Sequence, residues 1–306
     1  MKLKSSSKRH FVGLGTVAFA LLFVVFTAAI AQNLGTSQSL QVTPPSQELS
    51  ADPGKTVTVK TTLRNPDKQS ISVKTRIEDF TASGEEGQIA LIDAGDYSLT
   101  GWTNISPATF TLGPGESQVV TATIRVPASA AGGRYGSFVF SVTPGTDDGG
   151  TALVAQEIAS IFLMRIAGPV DEQLSLNEFK GPAFVQHAPV PLSMKFKNSG
   201  NIHVKTFGLV NVTGMFNHKV ADIVVKPENV FPGSERVITA NIDTGFMIGP
   251  YTATAIMYYG SKNQAIDATT SFFVFPVKEA AIAAVVLFVF FLIRKRLRKA
   301  FKALFS

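Results

Sequence analysis

At 306 residues, 45% hydrophobic and 16% charged, the chain is long enough for two domains plus targeting segments and too apolar to be a disordered one. Its formal net charge of +6 sits at the ends: Lys2, Lys4, Lys8 and Arg9 supply +4 and the cluster from Arg294 to Lys302 supplies +6, so the span 32–293 carries −4 and the high pI argues for no nucleic-acid partner. There is no cysteine, which excludes a disulfide framework, thiol catalysis and cysteine metal sites.

Residues 1–31 have the layout of a secretory signal peptide: basic MKLKSSSKRH, an uncharged run over 11–31, and the small-x-small site Ala29-Ile30-Ala31. Left uncut, the run also has the ~20 residues that a bilayer core requires, so cleavage stays open. Either way the chain that follows is exported.

From there to about residue 277 the hydrophobic period is two. Val57, Val59, Thr61 and Leu63 alternate with polar residues, and so do Ile71, Val73, Thr75 and Ile77. Val120, Ala122, Ile124 and Val126 repeat the pattern, as do Leu192, Met194 and Phe196. Such alternation puts one strand face on a core and the other in water. Turn pairs separate the strands: Pro53-Gly54, Asn65-Pro66, Pro114-Gly115, Pro144-Gly145, Ser199-Gly200 and Pro232-Gly233. Ile158–Ile166 differs in being apolar on both faces, which predicts a strand covered on both sides, with Gly168-Pro169 after it as a boundary. The expectation is an all-β chain.

An internal repeat predicts two domains of one kind. TLGPGESQVVTATIRVPASAAGGRYGSFVFSV (111–142) parallels VFPGSERVITANIDTGFMIGPYTATAIMYYG (230–260), and VKTTLRNPDKQSISVKT (59–75) parallels LSMKFKNSGNIHVKT (192–206). The expected organisation is a signal peptide over 1–31, tandem immunoglobulin-like β-sandwich domains over 36–170 and 171–277, a transmembrane α-helix over 278–294 and a basic tail over 295–306.

The helix rests on Ala280–Ile293, an uncharged run between Lys278-Glu279 and RKRLRK. Fourteen residues at 1.5 Å cover about 21 Å of a ~30 Å core, a shortfall that snorkelling side chains can take up. Lys278, Arg294, Lys295, Arg296, Arg298 and Lys299 are therefore the expected membrane-anchoring residues, with the cationic end in the cytoplasm. Past Ile293, Leu297, Ala300, Phe301, Leu304 and Phe305 share one helical face, which reads either as an interfacial helix or as a plain charge stop.

The segments PPSQELSADPGKTVTVKTTLRNP, FTLGPGESQVVTATIRVP and GGRYGSFVFSV resemble the N-terminal domain of the WxL-interacting proteins of Gram-positive bacteria. KNSGNIHVKTFGLVNVTG and NVFPGSERV are similar to the membrane-proximal domain of that family. The resemblance implies two β-sandwiches, a C-terminal membrane helix and a short basic tail. It also implies a first domain that associates with peptidoglycan and a second that associates with host or partner proteins. The stretch Glu78–Asp93 departs from the family, which has a more Asn-rich segment there.

Catalytic signals are sparse. The four histidines, at 10, 187, 203 and 218, have no metal spacing, and no Gly-x-Ser-x-Gly, phosphate loop or LPxTG motif occurs. No enzyme activity and no cofactor are expected. Asp147-Asp148-Gly149-Gly150 reads as a calcium loop or a solvated turn. Trp102 reads as a glycan platform or as a core or interdomain plug. Asn198, Asn201 and His203 read as a polar site or as side chains that hold a turn. The expected function is a non-catalytic, single-pass cell-surface protein that binds cell-wall glycan or a surface protein, by strand addition at a sheet edge; the alternative is a structural spacer of an envelope assembly.

Overall fold

A computed structural model describes residues 40–144 and 156–304, with side chains in the C-terminal helix described up to Arg294. The signal peptide, the candidate loop at Asp147-Asp148, and the side chains of Lys295, Arg296, Arg298 and Lys299 lie outside the described residues.

Strands form where the sequence alternates. Ten make up the first half among the described residues: β1 (Gln41–Thr43), β2 (Ser46–Ala51), β3 (Thr56–Arg64), β4 (Ile71–Ser83), β5 (Gln88–Ile92), β6 (Thr103–Ser106), β7 (Thr109–Leu112), β8 (Ser117–Arg125), β9 (Gly132–Pro144) and β10 (Gln156–Ile166). A four-stranded sheet runs β1-β3-β8-β6, and a larger one runs β2-β10-β9-β4-β5 with β7 also on β4. Their inner faces share one core, in which Leu63, Val120, Ile124, Phe138, Phe140, Phe162 and Met164 are fully buried.

The second half holds β11 (Leu174–Lys180), β12 (Phe184–Val185), β13 (Val190–Asn198), β14 (Val204–Thr213), β15 (Lys219–Val230), β16 (Glu235–Ile242), β17 (Gly249–Tyr259) and β18 (Gln264–Val274). Here a three-stranded sheet, β11-β13-β16, packs on a five-stranded one, β12-β18-β17-β14-β15, around Leu192, Met194, Phe196, Val210, Val212 and Ile242. Both halves divide their first strand between the two sheets, and in both the second piece pairs in parallel with the last strand, β2 with β10 and β12 with β18. The molecule is therefore mostly β, in two sandwiches.

The repeat extends to individual hydrogen bonds. Asn65, fully buried, directly follows β3, and Asn198, also fully buried, ends β13. Asn65 Nδ2 donates to the carbonyls of Gln69, Leu112 and Gly113, and its Oδ1 accepts the N–H of Asp67. Asn198 Nδ2 donates to Ile202 and Val230, and its Oδ1 accepts the N–H of Gly200. Each Asn also binds a Pro-Gly turn by its main chain, with Gly115 N–H donating to Asn65 O at 2.8 Å and Gly233 N–H to Asn198 O at 2.9 Å. Gly115 and Gly233 take φ of +75° and +71°, as a Pro-Gly type II turn requires.

The helix, α1 (Val277–Leu304), begins three residues after β18 ends. Every large apolar side chain from Ile282 to Ile293 is exposed, on all faces. Among the described residues no helix is long and apolar enough to cross a membrane. The physical reason is that Lys278, Glu279 and Arg294 bracket the uncharged run closely.

Candidate functional site

Two features stand out: the seam between the sandwiches, and an open cleft beside it. The seam is built on β9. Gly133, two residues before Tyr135, lacks the Cβ that would collide with the Tyr135 hydroxyl, and this lets that hydroxyl reach the second domain. Tyr135, only 3% exposed, accepts the backbone N–H of His203 at 2.7 Å and lies 3.2 Å from His203 Nδ1. Burial pushes the phenol pKa far up, so the hydroxyl keeps its proton within the hydrogen bond it shares with Nδ1. Burial, followed by the positive charge of Arg165, pushes His203 down to about 4 and keeps the ring neutral. Phe231 meets Tyr135 edge-on at 5.1 Å, Phe80 packs against both, and Leu163 closes the cluster.

Polar contacts ring this aromatic plug. Glu48 accepts Lys205 Nζ at 2.6 Å and Asn229 Nδ2 at 3.1 Å, and the Lys205 contact is the main reason its carboxyl titrates below the usual range. Arg165 pairs with Glu172 at 2.8 Å, and Glu172 also accepts the N–H and hydroxyl of Ser261. Burial acts to raise Glu172, but these donors outweigh it and hold the carboxyl low. Asn201 holds the linker, donating to Pro169 O and accepting Asp171 N–H.

The β4–β5 hairpin straps the seam from outside. At its tip, Glu85 O accepts Val237 N–H at 2.6 Å, and the Glu85 carboxylate pairs with Lys195 at 2.7 Å. Charge-assisted contacts to Glu235 and then Glu85 push Lys195 up. This strap is the segment Glu78–Asp93, where the sequence departs from the family it resembles.

The cleft lies between the edges of β15 and β16, which belong to different sheets and diverge from the turn at Phe231. Its volume is about 710 Å³, its floor includes Val225, Ile238 and Ala240, and Lys226, Glu228, Arg236 and Asp243 stand on its walls. Val224 on the β15 edge is 78% exposed. Since Val237 N–H points away from β13 to the strap, the two-residue alternation turns the N–H and C=O of Thr239 and Asn241 into the cleft as well. That is an unpaired strand edge.

The sequence candidates fall as follows. Asn198 holds its turn, Asn201 holds the linker, and His203 joins the seam. Trp102 lies half-buried against the first core with the Arg134 guanidinium 5.3 Å from its ring centre, rather than at the seam. Lys278 sits in the first turn of α1, and Arg294 covers Phe291 at 4.2 Å. Among the described residues no cluster of three or more His, Asp or Glu is placed to hold a metal. Sequence reasoning missed Tyr135, Phe80, Phe231, Glu48 and the strap. Their partners are up to 181 residues away in the chain, and the one local signal was the Gly-Gly-x-Tyr of the repeat.

No protein-family model and no curated protein matches the sequence. Among solved structures, the YadV chaperone aligns with a TM-score of 0.40 and 12% identity over 76% of this chain and 100% of its own. The class 5 fimbriae chaperone CfaA gives 0.41 and 12% over 76% and 99%. The Pseudomonas aeruginosa CupB2 chaperone gives 0.32 and 12% over 76% and 98%.

Proposed function

We propose that the chain is a non-catalytic cell-surface binding protein, of the kind that its resemblance to WxL-interacting proteins implies. It is held at the membrane by α1 and engages an extended segment of a partner protein along β16. The observation that carries this reading is the outward edge at Thr239 and Asn241, continuing a line on which Val237 N–H already bonds a main-chain carbonyl, Glu85 O at the hairpin tip of the other domain. Main-chain pairing supplies affinity there, and the apolar floor selects alternate side chains. Membrane attachment is supported by the all-round exposure of apolar residues on α1, a surface that water does not tolerate over such a length.

The test uses the full chain in nanodiscs and an array of peptides covering extended segments of the surface proteins of the same cell. Hydrogen exchange is read at the Thr239 and Asn241 amides. The expected result is a peptide that binds and slows exchange at both, with binding abolished by Thr239→Pro, which removes an outward donor and leaves the ladder to β13 intact. Binding that leaves both amides unprotected would refute strand addition. Co-sedimentation with peptidoglycan alone would move the assignment to the cell wall. The strapped seam also suits a spacer; a spacer fails when residues 278–306 are replaced by an unrelated anchor, whereas a binding module survives.

A further inference from the structure

At the end of the second sandwich away from the seam, four large apolar side chains point outward. β14 ends at Thr213, which pairs with Lys219 and Thr252; Gly249 at the start of β17 pairs with Val274 at the end of β18; α1 starts at Val277. The loops 214–218 and 243–248 are thus brought to the same end as the root of α1. They carry Met215 and Phe216, and Phe246 and Ile248. Phe216 is 96% exposed and Phe246 81%, and Met215 and Ile248 are about half exposed.

Phe216 is held out by an unusual backbone. His218 N–H donates to Met215 O, and the two residues between, Phe216 and Asn217, both have positive φ, +58° and +59°. This is the geometry of a type I′ hairpin turn, whose first central position favours Asn, Asp or Gly. A phenylalanine there is strained and gains no burial in return within the chain. The neighbouring contacts only fix the loops: Met247 is buried, Thr244 Oγ1 donates to its sulfur, and the Tyr251 hydroxyl bonds the main chain of Ile248. Only Phe275 and Pro276 separate β18 from α1, so an inserted helix brings these loops to the headgroup layer.

We propose that Phe216 and Phe246, with Met215 and Ile248, seat the second sandwich on the lipid bilayer as an interfacial contact around the root of α1. The proposal rests on the membrane attachment put forward above. It also accounts for the short apolar run, since a seated domain draws the root of the helix into the interface. Aromatic and aliphatic side chains at this depth exchange water for the acyl–headgroup boundary, with Lys278 at the level of the headgroups.

The absence of cysteine allows single labels. The full chain is reconstituted in vesicles of phosphatidylcholine and phosphatidylglycerol, with an environment-sensitive fluorophore on Phe216→Cys, Phe246→Cys, Val285→Cys in α1, or Lys262→Cys at the seam end. Lipids with doxyl groups near the headgroup serve as quencher. The expected result is a blue shift and quenching at 216, 246 and 285 and neither at 262. Quenching at 285 without quenching at 216 and 246 would overturn the seat and leave the anchor standing. No quenching at 285 would overturn both. A blue shift at 216 that grows with protein concentration and ignores the lipid quencher would assign the patch to a second copy and overturn the proposal. A companion variant, Phe216→Gly, is expected to raise or preserve thermal stability while lowering quenching of a label at Ile248→Cys; unchanged quenching there counts against the seat.

Discussion

Asn65 and Asn198 show how one side chain closes a sandwich corner twice. Changing Asn198 to Asp keeps the size but removes the amide donor and leaves the Ile202 and Val230 carbonyls unpaired. A buried unmet carbonyl costs about 1–3 kcal/mol, so with two of them Asn198→Asp is expected to lower stability by roughly 2–6 kcal/mol in a urea titration. His203 sets a pH response. It protonates near pH 4 when folded and near 6.5 when unfolded, so between these values the unfolded chain binds more protons. Stability from this group is complete above about 6.5 and declines as the pH falls towards 4, by on the order of 3 kcal/mol. Glu48 and Glu172, both lowered, lose their contribution in the same direction below the ordinary carboxylate range. The groups facing the ring are Tyr135, Arg165, Glu48, Lys205 and Glu172. His203→Leu keeps the backbone donor to Tyr135, and denaturation midpoints across this range are expected to flatten. The Asn turns were visible in the sequence because part of their bonding is local, to Asp67 and Gln69 in one and to Gly200 and Ile202 in the other. The role of His203 was not, because its hydroxyl partner lies 68 residues away.

Elements with a clean two-residue alternation, β3, the first half of β4, β8 and β13, lie where the sequence put them, because each buries alternate residues on a single core. β10 was legible for the opposite reason. Its apolar residues face both ways, with Phe162, Met164 and Ile166 in the first core and Leu163 in the seam cluster. The short β1, β2, β6, β7 and β12 carried no period long enough to read. Nor did the strap, whose acidic tip GEEG looks like any solvated turn until its partners on β13 and β16 are known. Replacing Gly84–Gly87 by Asn-Gly removes Glu85 and leaves Val237 N–H without its acceptor. Exchange at the Val237 amide is expected to rise sharply while amides inside both cores keep their protection. Equal loosening of the cores would show that the strap supports folding rather than alignment.

For the whole molecule, the seam decides whether two sandwiches behave as one body. Its ion pairs are mostly exposed and individually weak, so the aromatic plug carries most of the coupling. Phe231→Ser is expected to split a shared thermal transition into two by calorimetry, with the acid-dependent component following the second domain. The two-residue connection between β18 and α1 then acquires a spatial meaning. β17 has eleven residues, so at about 3.3 Å each the second sandwich stands about 36 Å tall. With no tether at its foot, the chain is a post of fixed height and not a flail. The open edge of β16 lies four residues above Asp243, roughly 13 Å from the foot, so a ligand captured there must already be within reach of the lipid surface.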